Sequence, residues 1–185
     1  MLELVFVIVV VGILAAALIP RMDRDTLYEA TEQLLSHIKY TQHLALVDNV
    51  YDANNANWFQ ERWRITFDDA NDQYAVSRGL PAVVSDYAKD PLNKKPMNGM
   101  LGDNDYDLND KYSVSVGVGG ATTRIAFDHL GRPYVFTATD PMTPTQYLLT
   151  ANFDINVSDG TETATIRLRP ETGYAYICWP GDTCP

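Results

Sequence analysis

The chain has 185 residues, of which 46% are apolar and 21% charged, and its formal net charge is -10. This length suits one globular domain with an extension, and the composition is typical of a folded protein rather than a disordered or repetitive one. A chain this acidic lacks the clustered Lys and Arg that hold a nucleic-acid backbone, so we expect no direct nucleic-acid binding.

The first twenty residues differ sharply from the rest of the sequence. Residues 4–19 contain no charged or hydrogen-bonding side chain. As a helix they would span about 24 Å, somewhat less than a hydrocarbon core of about 30 Å. We therefore expect an apolar transmembrane helix over residues 1–20. A secretory signal cleaved near the alanines at 15–17 and a plain single-pass anchor are the alternatives.

Glu3 is the informative residue of this segment. A lone carboxylate at the edge of an apolar helix costs free energy in lipid, and its partner should be a cation. No Lys or Arg lies within a helical turn of Glu3. The simplest partner is therefore the N-terminal amine of a second copy of the chain, which predicts a role for Glu3 in assembly.

The apolar run carries a recognisable pattern of Leu2-Glu3-Leu4, Gly12-Ile13-Leu14-Ala15-Ala16 and Ile19-Pro20. Over about twenty residues it resembles the N-terminal signature of type IV pilins and type II secretion pseudopilins. The resemblance implies a structural subunit of a type IV filament, a pilus or pseudopilus, in which Glu3 pairs with the methylated N-terminal amine of a neighbouring subunit. Gly12 and Pro20 then mark a helix that stretches or unwinds when it leaves the bilayer for the fibre.

The same resemblance implies partners and a location. The partners are identical or related pilins, a prepilin peptidase, the inner-membrane assembly machinery, and membrane lipid before assembly. The location is the inner membrane, crossed once, and then a periplasmic or extracellular filament at the cell surface. The family pattern usually extends before Met1, so either the sequence is truncated or its start differs from the processed end.

Two other functions are open at this point. Within the class, the chain is alternatively a minor or tip pseudopilin of a type II secretion or competence system. Outside it, the chain is a monomeric single-pass membrane-anchored binding domain, or a secreted binding protein with a cleaved signal. No nucleophile–base pair, phosphate loop or metal-ligand cluster stands out in the sequence, so we expect no enzymatic activity.

Residues 21–49 predict an amphipathic continuation of the first helix. Apolar and small positions recur at steps of three or four, which is the period of one helix face; they are Leu27, Thr31, Leu34, Ile38, Thr41 and Ala45. We expect one long helix, free at its start and docked on a sheet at its end. His37 and His43 are six residues apart and do not share a helix face, which argues against a zinc site.

Residues 50–185 predict a β-rich globular head. The best hairpin signal joins the alternating runs 149–157 and 164–168 through a Ser-Asp-Gly-Thr turn. Such alternation is typical of antiparallel strands with one buried face. The expected fold class is therefore α+β, with an antiparallel sheet covering the amphipathic half of the long helix.

A long loop at 79–111 interrupts the head and contains alternating oxygen-bearing residues, which are Asp103, Asp105, Asp107 and Asn109. Oxygen ligands at this spacing are typical of calcium loops, although the glycine and the bidentate glutamate of a standard loop are missing. A calcium ion is one hypothesis and a solvated acidic loop is the other. We expect no other cofactor.

Cys178 and Cys184 flank a Pro-Gly turn near the C-terminus. An even pair of cysteines in an exported chain favours a disulfide that closes a short loop, and two thiols are the alternative. The resemblance agrees with the disulfide, because many type IV pilins carry one at the C-terminus.

Overall fold

The computed structural model describes residues 5–12, 25–80, 86–120, 122–137, 140 and 145–184. The described part of helix α1 is residues 5–12. Helix α2 covers Thr26–Val47 and α3 covers Leu108–Tyr112. Short 3₁₀ turns form at Trp58–Glu61, Gly99–Leu101 and Asn104–Tyr106. The strands are β1 (Trp63–Asp68), β2 (Gln73–Arg78), β3 (Ser115–Gly117), β4 (Thr122–Phe127), β5 (Pro133–Thr137), β6 (Phe153–Ser158), β7 (Thr163–Leu168) and β8 (Ala175–Cys178).

The prediction of one long N-terminal helix is wrong. Asp25 has a non-helical backbone, with φ -73° and ψ 84°, and its carboxylate accepts a hydrogen bond from the Tyr28 amide at 2.9 Å. This N-cap satisfies an amide that the first turn of a helix leaves without a partner, so α2 begins after Asp25. In the described residues α1 and α2 are separate segments, and neither is a long apolar helix.

Two antiparallel sheets replace the single sheet that the sequence predicts. The first has the strand order β2-β1-β4-β5 and the second β3-β6-β7-β8, with four strands in each. The predicted hairpin is confirmed, because β6 pairs with β7, where Ser158 lies opposite Thr163. β1 and β2 form a second antiparallel pair. Alternation identified the strands, but their division into two sheets depends on pairings between distant segments, such as β1 with β4.

The buried stripe of α2 packs against both sheets. The helix contacts β1 and β4 of the first sheet and β6, β7 and β8 of the second. The stripe positions predicted from the sequence are all buried, which confirms the amphipathic pattern; they are Leu27, Thr31, Leu34, Ile38, Thr41 and Ala45. Full burial of one large aliphatic side chain stabilises a fold by about 1.5–3 kcal/mol, so this stripe holds helix and sheets together.

The described part of the predicted 79–111 loop packs along β2. Isolated bridges join Ala75 to Asn98 and Ser77 to Tyr87. Leu108, like Met97, is completely buried and anchors the segment to the core. These anchors are single apolar residues without periodicity, which is why the sequence pattern predicts only a loop.

Gln42 of α2 joins turns that belong to different sheets. Its Nε2 donates to the carbonyl oxygens of Gly131 and Thr172, both at 2.9 Å. Gly173, directly after the second turn, has a φ of 63°, and a Cβ atom there would collide with the main-chain oxygen of Gly131. Glycine is required at this position both for its backbone conformation and for the close approach of the two turns.

Replacement of Gly173 by alanine tests this close approach. We expect Gly173→Ala to lower the free energy of unfolding by about 1–3 kcal/mol more than Gly160→Ala, because it adds overpacking to backbone strain. Gly160 is a matched control, since its φ is 87° but a Cβ there has open space. Urea unfolding followed by tryptophan fluorescence measures the difference, and equal losses would contradict the close approach.

Candidate assembly site

Helix α1 exposes apolar side chains around its whole circumference. The seven residues from Val5 to Val11 are between 37% and 70% exposed, with Phe6 the most exposed. Seven consecutive residues cover all sides of a helix with about 3.6 residues per turn. Within the described residues, nothing buries this surface, and a contiguous apolar surface of this kind marks an interaction site.

Of the three predicted assembly residues, Gly12 alone lies in the described part of the chain. It is the last described residue of α1, and within the described part of the chain a Cβ atom there would meet no other atom within 4 Å. Packing against the described residues therefore does not require glycine at this position. Glu3 and Pro20 lie outside the described residues, so their predicted roles stay predictions.

The predicted transmembrane helix is not supported, which corrects the predicted inner-membrane location. Across the described ranges, no helix combines the length and the apolar character needed to cross a membrane.

A second exposed feature lies at the start of α2. The rings of Tyr28 and Trp179 stack with their centroids 4.8 Å apart, and they border a cavity of about 320 Å³. Asp159 and Glu162, from the turn between β6 and β7, line the same cavity, as does Asp25. The cavity thus presents aromatic and acidic groups beside the position where the chain enters α2. Sequence reasoning misses it because the two aromatic residues lie at opposite ends of the chain.

The C-terminal cysteines hold part of this feature in place. Cys178 and Cys184 form a disulfide with their Cα atoms 5.6 Å apart, which is consistent with the predicted bond. Between them, the Asp182 amide donates to the Trp179 carbonyl at 3.0 Å. Because Trp179 lies inside the closed loop, the disulfide restrains the ring that stacks on Tyr28.

The residues considered for calcium have other roles. Asp103 caps a 3₁₀ turn and Asp107 caps α3, each accepting a main-chain amide hydrogen at 3.1 and 2.9 Å respectively. Asp105 forms an ion pair with Lys95 at 2.9 Å, and this hydrogen bond lowers the pKa of Asp105. Asn109 is exposed. In the part of the chain that the structure describes, no group of three His, Cys, Asp or Glu side chains is placed to hold a metal ion, so calcium gains no support.

A buried polar chain connects α2 to the first sheet. Gln33 Nε2 donates to the Tyr74 hydroxyl oxygen at 2.7 Å. The Tyr74 hydroxyl then donates its own proton to His37 Nδ1, also at 2.7 Å. His37 therefore accepts at Nδ1 and carries its own proton on Nε2. Burial lowers the pKa of His37 to about 4, so the ring is neutral near pH 7 and belongs to the core.

No family model matches the chain, and comparisons with curated proteins and with solved structures found no match either. The resemblance to pilins therefore stays a prediction from the N-terminal residues.

The buried state of His37 predicts a pH dependence of stability. Its pKa is about 4 in the folded chain and near 6.5 when unfolded, so between these values the unfolded state binds the extra proton. We expect the free energy of unfolding to fall by up to about 3 kcal/mol as the pH drops through this window. Urea unfolding at several pH values measures this slope.

Two substitutions separate this effect from other acid-linked changes. His37→Gln should remove the His37 part of the slope. His43→Gln, at an exposed position of the same helix, should keep it. If wild-type protein and His37→Gln lose stability in parallel, His37 is not the group that titrates.

Proposed function

We propose that the chain is a structural subunit of a type IV filament, a pilus or pseudopilus, and that it polymerises through its apolar N-terminal segment. The observation that carries this proposal is the exposure of α1, whose apolar side chains are 37% to 70% accessible. The resemblance of the surrounding residues, Glu3 to Pro20, to the pilin signature supplies the class of filament.

The distribution of the exposed surface favours several neighbours over a single partner. One partner helix covers one side of α1, whereas its apolar side chains point to all sides. Full burial of each large side chain stabilises an assembly by about 1.5–3 kcal/mol, which is on the order of 10 kcal/mol for the segment. Association costs about 4–15 kcal/mol of free energy. Partial burial in a pair therefore leaves little net stabilisation, whereas a bundle that surrounds the segment is stable.

A second copy of the same segment is the simplest neighbour. Copies packed side by side remove apolar surface from water on both partners. A carboxylate inside such a bundle needs a positive partner, because an isolated buried charge is very costly. The N-terminal amine of the adjacent copy supplies that charge to Glu3, and the pair then sets the axial register of the subunits.

In this proposal the β-sheet head lies outside the fibre core. The Tyr28–Trp179 stack and its cavity adjoin the start of α2, the described element that follows α1 in the chain. By resemblance, a prepilin peptidase and the pilus assembly machinery act on the chain before and during polymerisation.

A charge placed in α1 tests the assembly surface. We expect Ile8→Asp to abolish fibre formation, because a carboxylate buried without a partner costs several kcal/mol. Leu92→Asp is the matched control, since Leu92 is 92% exposed in the head, and it should assemble normally. Electron microscopy and mass spectrometry of sheared surface fibres measure the outcome. Normal fibres from Ile8→Asp would refute assembly through α1.

Replacement of Glu3 tests the proposed ion pair. Glu3→Ala leaves a buried amine without its counter-charge, which costs about 3–5 kcal/mol and should weaken subunit addition by a hundredfold or more. Asp52→Ala removes an exposed carboxylate of the head and should have no effect. The readout is the fibre mass relative to total folded subunit. Wild-type fibre yield from Glu3→Ala would exclude the ion pair.

A further inference from the structure

The cavity beside the Tyr28–Trp179 stack has the size and the lining of a small-molecule site. Its volume of about 320 Å³ lies at the lower end of the range for such sites, which is about 300–1,000 Å³. Part of the lining is aromatic, because the two rings stack with their centroids 4.8 Å apart and an angle of 13° between their planes. The lining also includes the carboxylates of Asp25, Asp159 and Glu162.

These carboxylates keep oxygen atoms for a further partner. Asp25 uses Oδ1 to accept the Tyr28 amide hydrogen at the start of α2. Asp159 accepts the amide hydrogens of Glu162 and Thr161 at Oδ1, both at 2.7 Å. These two hydrogen bonds lower the pKa of Asp159, so it is ionised near pH 7. Within the described ranges, the other oxygens of Asp25 and Asp159 and the carboxylate of Glu162 have no hydrogen-bond or ion-pair partner.

The described residues supply no cation to this cavity. None of the described lining residues is Lys or Arg, and no cation of the described chain lies over the ring of Tyr28 or Trp179. Another aromatic ring of the head does carry one, since the guanidinium of Arg169 lies 5.5 Å from the centre of the Tyr176 ring. The cavity therefore combines negative charge with aromatic surface that no positive group of the described chain covers.

Carboxylates and aromatic rings in one cavity favour an organic cation. The face of an aromatic ring attracts a cation, most strongly when the ring is that of tryptophan and when the cation is removed from water. Carboxylates add charge-assisted hydrogen bonds to N–H groups. A metal ion fits less well, because no three His, Cys, Asp or Glu side chains of the described ranges are placed to hold one. An organic cation is large enough to contact carboxylates that are too far apart to share a metal.

We propose that this cavity binds a small organic cation, a primary or quaternary ammonium compound, through the Tyr28–Trp179 stack and the surrounding carboxylates. The alkyl groups of the ligand pack against the rings, and its positive nitrogen lies near the carboxylate oxygens. The disulfide between Cys178 and Cys184 restrains Trp179, which reduces the entropy that binding costs. The site belongs to the head, so it does not depend on α1 or on filament assembly.

Calorimetric titration of the full-length protein tests the ligand class. Butylammonium and tetramethylammonium are compared with 1-butanol and with sodium at equal ionic strength. We expect saturable binding of at least one ammonium ion and of neither butanol nor sodium. Binding of butylammonium alone assigns a primary amine, binding of tetramethylammonium alone assigns a quaternary one, and binding of both assigns a site for either. Absence of saturable binding by both ammonium ions, or an equal response to butanol or sodium, would overturn the proposal.

Substitution of Tyr28 locates the binding. Tyr28→Leu keeps an apolar side chain but removes a ring, so it should raise the Kd by about three- to thirtyfold. Tyr174→Leu is the matched control, because Tyr174 is also exposed and stacks on a second ring, that of Tyr176, but does not line the cavity. It should leave the Kd unchanged. Wild-type affinity in folded Tyr28→Leu would refute binding at the stack.

A charge substitution keeps the test decisive if Tyr28→Leu does not fold. Glu162 is exposed, so Glu162→Gln should fold, and the loss of one negative charge should raise the Kd by about two- to fivefold. Glu32→Gln, at an exposed position of α2 that does not line the cavity, should leave the Kd unchanged. Thermal unfolding without ligand reports which variants are folded. An unchanged Kd in folded Glu162→Gln, together with unfolded Tyr28→Leu, would refute the proposal.

Discussion

The packing of the α2 stripe against two sheets is the interaction on which the rest of the structure depends. One helix covers apolar faces of both sheets, since it contacts β1 and β4 on one side and β6, β7 and β8 on the other. Gln42 adds a polar connection by binding the carbonyls of Gly131 and Thr172. The relative placement of the two sheets, and hence of every loop between them, follows from this helix.

The packing of α2 against the sheets also determines which polar groups are buried. Ile65 and Phe67 of β1 face the core beside α2, so Arg64 between them points to the opposite side of the sheet. That side is not solvent, because Arg64 is 1% exposed. A chain with a net charge of -10 thus contains a buried arginine on this face of the sheet. On the other side of the sheet, His37 and Tyr74 complete a neutral polar chain within the core.

The apolar surfaces of the head and of the N-terminal segment differ in what covers them. In the head, α2 and the sheets cover one another within a single subunit. In α1, nothing in the described part of the chain covers the apolar side chains, which are exposed in every direction. This contrast underlies the proposed filament.

Local patterns in the sequence determined the α2 stripe, the β6–β7 hairpin and the apolar character of α1, because neighbouring residues set the helix and strand periods. The predicted continuous helix is wrong, because Asp25 caps the start of α2 with a non-helical backbone. Only the tertiary structure decided the division into two sheets, the capping role of Asp103 and the burial of Arg64. Those features depend on which distant strands pair and what covers each face, and the burial that selects those pairings is a property of the whole chain.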